Sequence, residues 1–243
     1  MNNKLLVLGT VAYDAIETPF GKTGKILGGC ATYIGLAASH FNTECGLISI
    51  IGSDFEEEHL NLLKEKNLNL EGVEQLQGEK TFFWSGKYHN DLNTRTTLDT
   101  KLNVLTKFQP KVPENFKNSS VVLLGNLDPN IQLEVLNQMD KKPDLIVMDT
   151  MNFWIESYRE KLDELIARVD VISINDEEAR QLTQKHSLVE AAKDLQAMGP
   201  KYVVIKKGEH GALLFHDKQV FFAPALPLEE VFDPTGAGDS FAG

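Results

Sequence analysis

A chain of 243 residues, 42% hydrophobic and 24% charged, has the size and composition of one globular domain with a substantial core; two full domains would be a tight fit. Its formal net charge of −11 excludes a nucleic-acid backbone as partner, because binding there needs clustered Lys and Arg. The only cysteines, Cys30 and Cys45, form no CxxC pair and no Cys/His metal spacing, which excludes a disulfide scaffold or structural zinc site and fits a reducing cytoplasm.

Taken in chain order, the first apolar run is 5–8, after a single Lys and before Asp14, which is too short and too soon polar for a signal peptide. No run approaches the roughly 18 apolar residues of a membrane span, so the membrane is excluded as well. After this strand comes GTVAYD (9–14), and then 15–27, where Pro19, Gly21 and Gly24 break up short apolar pieces. Gly28 and Gly29 precede a helical pattern over 31–41, an apolar run over 47–51, a Gly-Ser-Asp turn and a second helical pattern over 54–66. The stretch 71–99 holds two strand-like pieces, 81–88 and 94–98, with polar turns between. Beyond it, apolar runs at 121–124, 145–148, 171–174 and 203–205 alternate with helical patterns at 131–139, 155–168 and 188–198.

Runs that are apolar at consecutive positions are buried on both faces, as in parallel sheets. Strand and helix in alternation predict an α/β fold with a mostly parallel central sheet and helices on both faces. The segments 15–27 and 71–99 stand outside that rhythm. They are expected to form a small β lid over the end of the sheet where such folds bind ligands, although a pair of surface hairpins gives the same pattern. With no repeat and no linker, 1–243 reads as one domain with lid insertions.

The strongest signal comes last. Asp233, Pro234, Thr235, Gly236, Ala237, Gly238, Asp239, Ser240 and Phe241 fit D-x-x-G-A-G-D-x-F, a pattern that chance would place in about one in 10⁵ chains of this size. Gly236 and Gly238 let successive backbone amides approach an anion, and a helix starting here would turn its positive end to the same anion. Asp239 would project beside that anion hole and could take the proton of an attacking hydroxyl; the same acid also suits a plain helix start.

Here the sequence resembles the ribokinase-like (PfkB) family of carbohydrate kinases, whose signature reads D-T-x-G-A-G-D-x-F; Pro234 stands where the family usually has Thr. The resemblance implies an ATP-dependent phosphotransferase acting on a hydroxyl of a sugar or a nucleoside. Asp239 would be the catalytic base, with Gly236, Ala237 and Gly238 as the anion hole and Asp233 and Thr235 as holders of a monovalent cation, K+. The N-terminal half carries the resemblance further. Asp14 matches the acid that accepts hydrogen bonds from sugar hydroxyls, Gly28 and Gly29 match the double glycine along which substrate lies, and Tyr33 replaces a usual Asn that touches substrate. The ring of Tyr33 is expected either to stack on a sugar or base or to pack into the lid hinge.

Asn175 and Glu178 match the family's N-x-x-E, where Glu178 would order the water shell of Mg2+; the same residues also suit a helix cap. Lys206, Gly208 and Gly211 match the turn beside the nucleotide phosphates, with Lys206 in place of a usual Thr. Tyr88, Asn93 and Arg95 are the lid residues expected to choose the acceptor. The partners expected are a small-molecule sugar or nucleoside and, through the lid, a second copy in a homodimer.

Relatives in this family continue past the signature, so the sequence reads as truncated. A helix begun at Ser240 is expected to lack support, apolar surface is expected to be uncovered, and adenine-site residues are expected beyond Gly243. Two rivals remain: a catalytically silent sugar or nucleotide sensor, which would not need Asp239, and a nucleotide-dependent dehydrogenase, which would need G-x-G-x-x-G where GTVAYD stands.

Overall fold

The computed structural model describes residues 4–41 and 43–243. The chain opens with β1 (Lys4–Leu8) and leaves the main sheet through β2 (Ala12–Thr18), β3 (Gly21–Lys22) and β4 (Ile26–Gly28) before entering α1 (Cys30–Ala38). It returns with β5 (Glu44–Gly52), α2 (Glu57–Glu65) and β6 (Leu68–Leu76), then leaves again in β7 (Phe83–Tyr88) and β8 (Arg95–Lys101). The second half runs β9 (Val121–Leu124), α3 (Pro129–Asn137), β10 (Leu145–Met148), α4 (Asn152–Ser157), α5 (Arg159–Ile166) and β11 (Val171–Asn175). It ends with α6 (Asp176–Thr183), α7 (Leu188–Met198), β12 (Tyr202–Lys206), β13 (Ala212–His216), β14 (Gln219–Ala223) and α8 (Ala237–Ala242).

Among the described residues the strands form one nine-stranded sheet, ordered β14-β13-β12-β11-β10-β9-β1-β5-β6, and one five-stranded sheet, ordered β3-β2-β7-β8 with β4 also on β2. From β6 to β12 the large sheet is parallel, and β13 and β14 add an antiparallel edge. The consecutive apolar runs divide by parity. Leu6, Leu8, Val122, Leu124, Ile172 and Ile174 join the core beneath α3, α5, α6 and α7, while Leu5, Val7, Leu47 and Leu123 join the core beneath α1 and α2. This is the two-sided burial that a helix-covered parallel sheet requires.

Two expectations change. The lid is made of β2, β3, β4, β7 and β8, but residues 71–76 of the expected 71–99 segment belong to the large sheet, as the end of β6. That strand is an edge: Leu68, Leu70 and Val73 pack against the core while Glu71, Glu74 and Gln75 face water, so it has no continuous apolar run to betray it. The last helix does find support. α8 packs on α1, with Ala242 against the second core, so tertiary packing stabilises a turn too short to stand alone. Apolar side chains do stand uncovered on β14 and after it: Val220, Phe221, Phe222, Leu226 and Leu228 are all exposed. No helix among the described residues is long and apolar enough to cross a membrane.

The lid is hooked to the sheet at the Gly-Ser-Asp turn. Asp54 Oδ1 accepts from the Thr81 amide at 2.7 Å and its hydroxyl at 2.8 Å, and that hydroxyl accepts from the Gly52 amide at 3.0 Å. At its far end the lid reaches the β12–β13 turn, where a Cβ on Gly208 would stand 2.8 Å from Asn93 Oδ1.

Candidate active site

The site lies between the lid and the carboxyl ends of the central strands, the edge of an open α/β sheet where ligands bind. Asp14 projects from β2, which pairs with β4 through Ala12↔Gly28 and Asp14↔Ile26. Its carboxylate rests on Gly28, where a Cβ would come within 2.1 Å of Oδ2, and it accepts a hydrogen bond from the Gly29 amide. Gly29 has φ 94, and a Cβ there would strike the Thr10 carbonyl at 2.3 Å. Burial raises the Asp14 carboxyl to about 6, against the Gly29 amide and with help from Asp233.

Across from Asp14 the chain makes the glycine turn. Gly236 is the N-cap of α8 in the left-handed region, φ 75, a conformation that Gly adopts without steric cost. The ring of Tyr33, from the first turn of α1, lies flat on it: a Cβ on Gly236 would sit 2.4 Å from Tyr33 Cγ and 2.5 Å from both Cδ atoms. Desolvation and then Asp14, Asp233 and Asp239 push the Tyr33 hydroxyl above the usual phenol range. The Ala237 amide donates to Pro234 O at 3.2 Å and closes the turn, so the amides of Gly238 and Asp239, in the first turn of α8, are the ones without an intrahelical acceptor. Asp233 Oδ1 accepts from the Thr235 amide at 2.9 Å, and the Thr235 hydroxyl donates to the buried Tyr88 hydroxyl at 3.3 Å.

Beneath the turn the strand ends bring charges together. Asn175 and Glu178 form a reciprocal cap at the start of α6: Asn175 Oδ1 accepts from the Glu178 amide at 2.7 Å and Glu178 Oε2 from the Asn175 amide at 2.9 Å. Lys206, at the end of β12, donates to Asp149 Oδ2 at 2.9 Å, and its Nζ is 3.3 Å from where a Gly238 Cβ would be. Asp239 is half-buried; desolvation first and Asp149 second raise it to about 7, while Lys206 and Arg95 pull the other way. Glu178 is buried and raised by the same two causes. Burial works to lower Lys206, but Asp149, Glu178 and Asp239 outweigh it and keep the ammonium charged. Arg95 pairs with Tyr88 across β7 and β8, and its charge is felt by Glu178, Asp239 and Tyr88.

A family model described as pfkB family carbohydrate kinase matches residues 2–243. The chain belongs to this family. A cytidine kinase of Thermococcus kodakarensis is 33% identical over 245 residues, covering 98% of this chain and 86% of that one. A nucleoside kinase of Burkholderia thailandensis, solved with inosine, shares the fold at TM-score 0.79 and 21% identity, over 98% of this chain and 81% of that one. An Escherichia coli protein solved with ATP and Mg2+ does so at TM-score 0.82 and 19% identity, over 99% and 83%. The fold is ribokinase-like, and the protein is a carbohydrate or nucleoside kinase, a phosphotransferase.

Within this kinase, the positions expected from the sequence mostly converge. Close approaches link Asp14 to Gly28, Tyr33 to Gly236 and Lys206 to Gly238; Asp14, Asp233 and Asp239 all act on Tyr33, and Glu178, capped with Asn175, acts with Asp239 on Lys206. Gly211 differs. It has φ 82, and a Cβ on it would strike Ala223 O at 2.0 Å, so its bareness serves the crossing of the chain after β14. The sequence reading did not find Asp149. The usable signal was its place, an acid directly after the apolar run of β10 at the carboxyl end of a parallel strand.

Proposed function

We propose that the chain transfers the γ-phosphoryl group of ATP to a hydroxyl on the ribose of a nucleoside. The observation that carries this reading is that Asp14, resting on the bare Gly28–Gly29 backbone, and Asp239, in the first turn of α8 after Gly236, both act on the hydroxyl of Tyr33, whose ring lies on Gly236. The cytidine kinase relative favours a nucleoside over a free sugar, and half-buried Tyr33 gives a base an aromatic ring to lie against.

In this reading Asp14 accepts hydrogen bonds from two vicinal ribose hydroxyls. Asp239, raised to about 7, takes the proton of the attacking hydroxyl, a value near the operating pH that suits a general base. The Gly238 and Asp239 amides and the positive end of α8 receive the charge that develops on the transferring group. The lid, hooked at Asp54 and reaching Gly208, keeps out water that would compete as acceptor. Lys206 faces the phosphates from beneath Gly238.

Among the described residues no group of three or more His, Cys, Asp or Glu is arranged to hold a metal alone. Mg2+ needs no such cage, since it binds through few carboxylates, waters and substrate phosphates, and Asp149, Glu178 and Asp239 outnumber Lys206 in a way that fits a divalent cation. Glu178 would hold it through water, and with ATP bound the ion would supply neutralisation of phosphate charge. Asp233 and Thr235 retain oxygen lone pairs for K+, and replacing K+ by tetramethylammonium should lower turnover if they use them. Exposed Phe20 and Leu98 mark the lid surface for a homodimer, which light scattering would detect.

The test is ADP release with ATP, Mg2+ and a panel of cytidine, inosine, ribose and fructose. Steady release dependent on a nucleoside supports the proposal. Release dependent only on a free sugar overturns the acceptor, and binding without turnover makes the protein a sensor.

A further inference from the structure

We infer that Asp149 is a positioning residue for phosphoryl transfer: from the end of β10 it reaches over β11 and holds the Lys206 ammonium beneath Gly238. The inference rests on the kinase reading above and adds to it a residue that neither the glycine signature nor the N-x-x-E motif contains.

The sheet order puts β11 between the two partners, so their backbones are roughly 10 Å apart and only long side chains aimed at each other can meet. They meet at 2.9 Å. Asp149 is fixed before the contact is made. Its Oδ1 accepts from the Thr150 amide at 2.7 Å, its own amide donates to Leu124 O at 2.9 Å, and its carbonyl accepts at 3.2 Å from Gln132, a fully buried amide that also binds Leu124 O and Gly125 O. Lys206 reaches the contact on a flexible stem, and the hydrogen bond that fixes its ammonium is the one to Asp149. Without Asp149 its ammonium is free to turn to Glu178, whose carboxylate lies in the same cluster.

The pair is also in an expensive place for mere stability. The side chains are only 15% and 9% exposed, and a buried ion pair rarely stabilises a fold more than apolar residues of the same volume. What the pair does achieve is position: the ammonium lies 3.3 Å from the site of a Gly238 Cβ, next to the amides that face the transferring group. A lysine held there presents a fixed charge with no reorganisation during transfer.

The experiment is a double-mutant cycle on the chain with D149N, K206M and both, read as kcat and the two KM values with the nucleoside that the panel selects. D149N is expected to lower kcat about tenfold or more and leave the acceptor KM within about twofold, whereas in the K206M background it should cost less than about threefold. An equal loss in both backgrounds, or none in D149N, overturns the inference. D149E, which keeps the charge but moves the ammonium, should lower kcat several-fold with an unchanged melting temperature, and wild-type turnover in that variant also counts against positioning. Inorganic tripolyphosphate binding, measured by calorimetry on the same proteins, repeats the cycle without an acceptor. Coupling there with no turnover by the wild type would sink the proposed reaction and keep Asp149 as the holder of Lys206; additive losses there would sink Asp149.

Discussion

Asp239→Asn should make the protein a poorer catalyst and a more stable fold. The amide keeps the shape but cannot take a proton, so turnover should fall about 10² to 10⁴-fold. The stability side follows from the pKa. The folded carboxyl holds its proton up to about 7, whereas the ordinary value is 3.8. A group with a raised folded pKa stabilises fully below the unfolded value and loses that contribution as pH rises through the folded one. At about 1.36 kcal/mol per pH unit, the gap of roughly three units is worth at most about 4 kcal/mol at pH 8. Solvent reaches part of this half-buried carboxylate, so about 2 kcal/mol is the working figure.

The variant should therefore melt about 4 to 8 °C higher than the wild type at pH 8, and no more than about 1 to 2 °C higher at pH 4, where the folded side chain is neutral in both. Thermal melts at the two pH values, with ATP turnover at pH 8, test both halves. The slope with pH will not vanish, because Asp14 and Glu178 are raised in the same direction and remain. A variant that is less stable than the wild type at pH 8 would refute the desolvated carboxylate. Turnover within about tenfold of the wild type would remove Asp239 from the base role.

Gly28→Ala should raise the acceptor KM about tenfold and leave the ATP KM near its wild-type value, since the new methyl would displace the Asp14 carboxylate from 2.1 Å; a change in the ATP KM alone contradicts the placement. In Gly236→Ala the methyl meets the Tyr33 ring at 2.4 Å in a left-handed backbone that disfavours L residues by about 1–2 kcal/mol, so kcat should fall; adding Tyr33→Ala should recover only the steric part, and full recovery would show that φ 75 is not required. Asn175→Ala removes the cap on α6 and should destabilise the chain by about 1 kcal/mol in urea titration, with an unchanged midpoint counting against the cap. Turnover in the wild type should rise with pH through about 7 as Asp239 ionises, and a flat profile between pH 5 and 8 would speak against that base.

What the sequence disclosed and what it hid divide along physical lines. The alternation of apolar runs and helical patterns was legible because a strand buried on both faces must be apolar at every position, as Leu5 to Leu8 are. Strand β6 was not, since an edge strand buries only part of itself and mixes Glu71, Glu74 and Gln75 among its apolar residues. The glycines of the site were legible as bare backbone, but not what each approach was for. Gly28 admits a carboxylate, Gly236 a tyrosine ring and Gly211 another stretch of chain; the first and last of these partners lie just outside the local motif, and the tyrosine lies far away in sequence.

The same distance hides Asp149. Its partner is 57 residues on, and no local spacing links an acid after β10 to a lysine after β12. The sheet itself makes the link, because parallel strands bring their carboxyl ends to one edge whatever the length of chain between them. That edge gathers Asp149, Asn175 and Lys206 from three consecutive strands, while α1 supplies the Tyr33 ring and packing for the turn that carries Asp239. Charge placed at that edge is therefore set by topology, and burial first and Asp149 second, a neighbour that no motif includes, raise the motif acids Glu178 and Asp239.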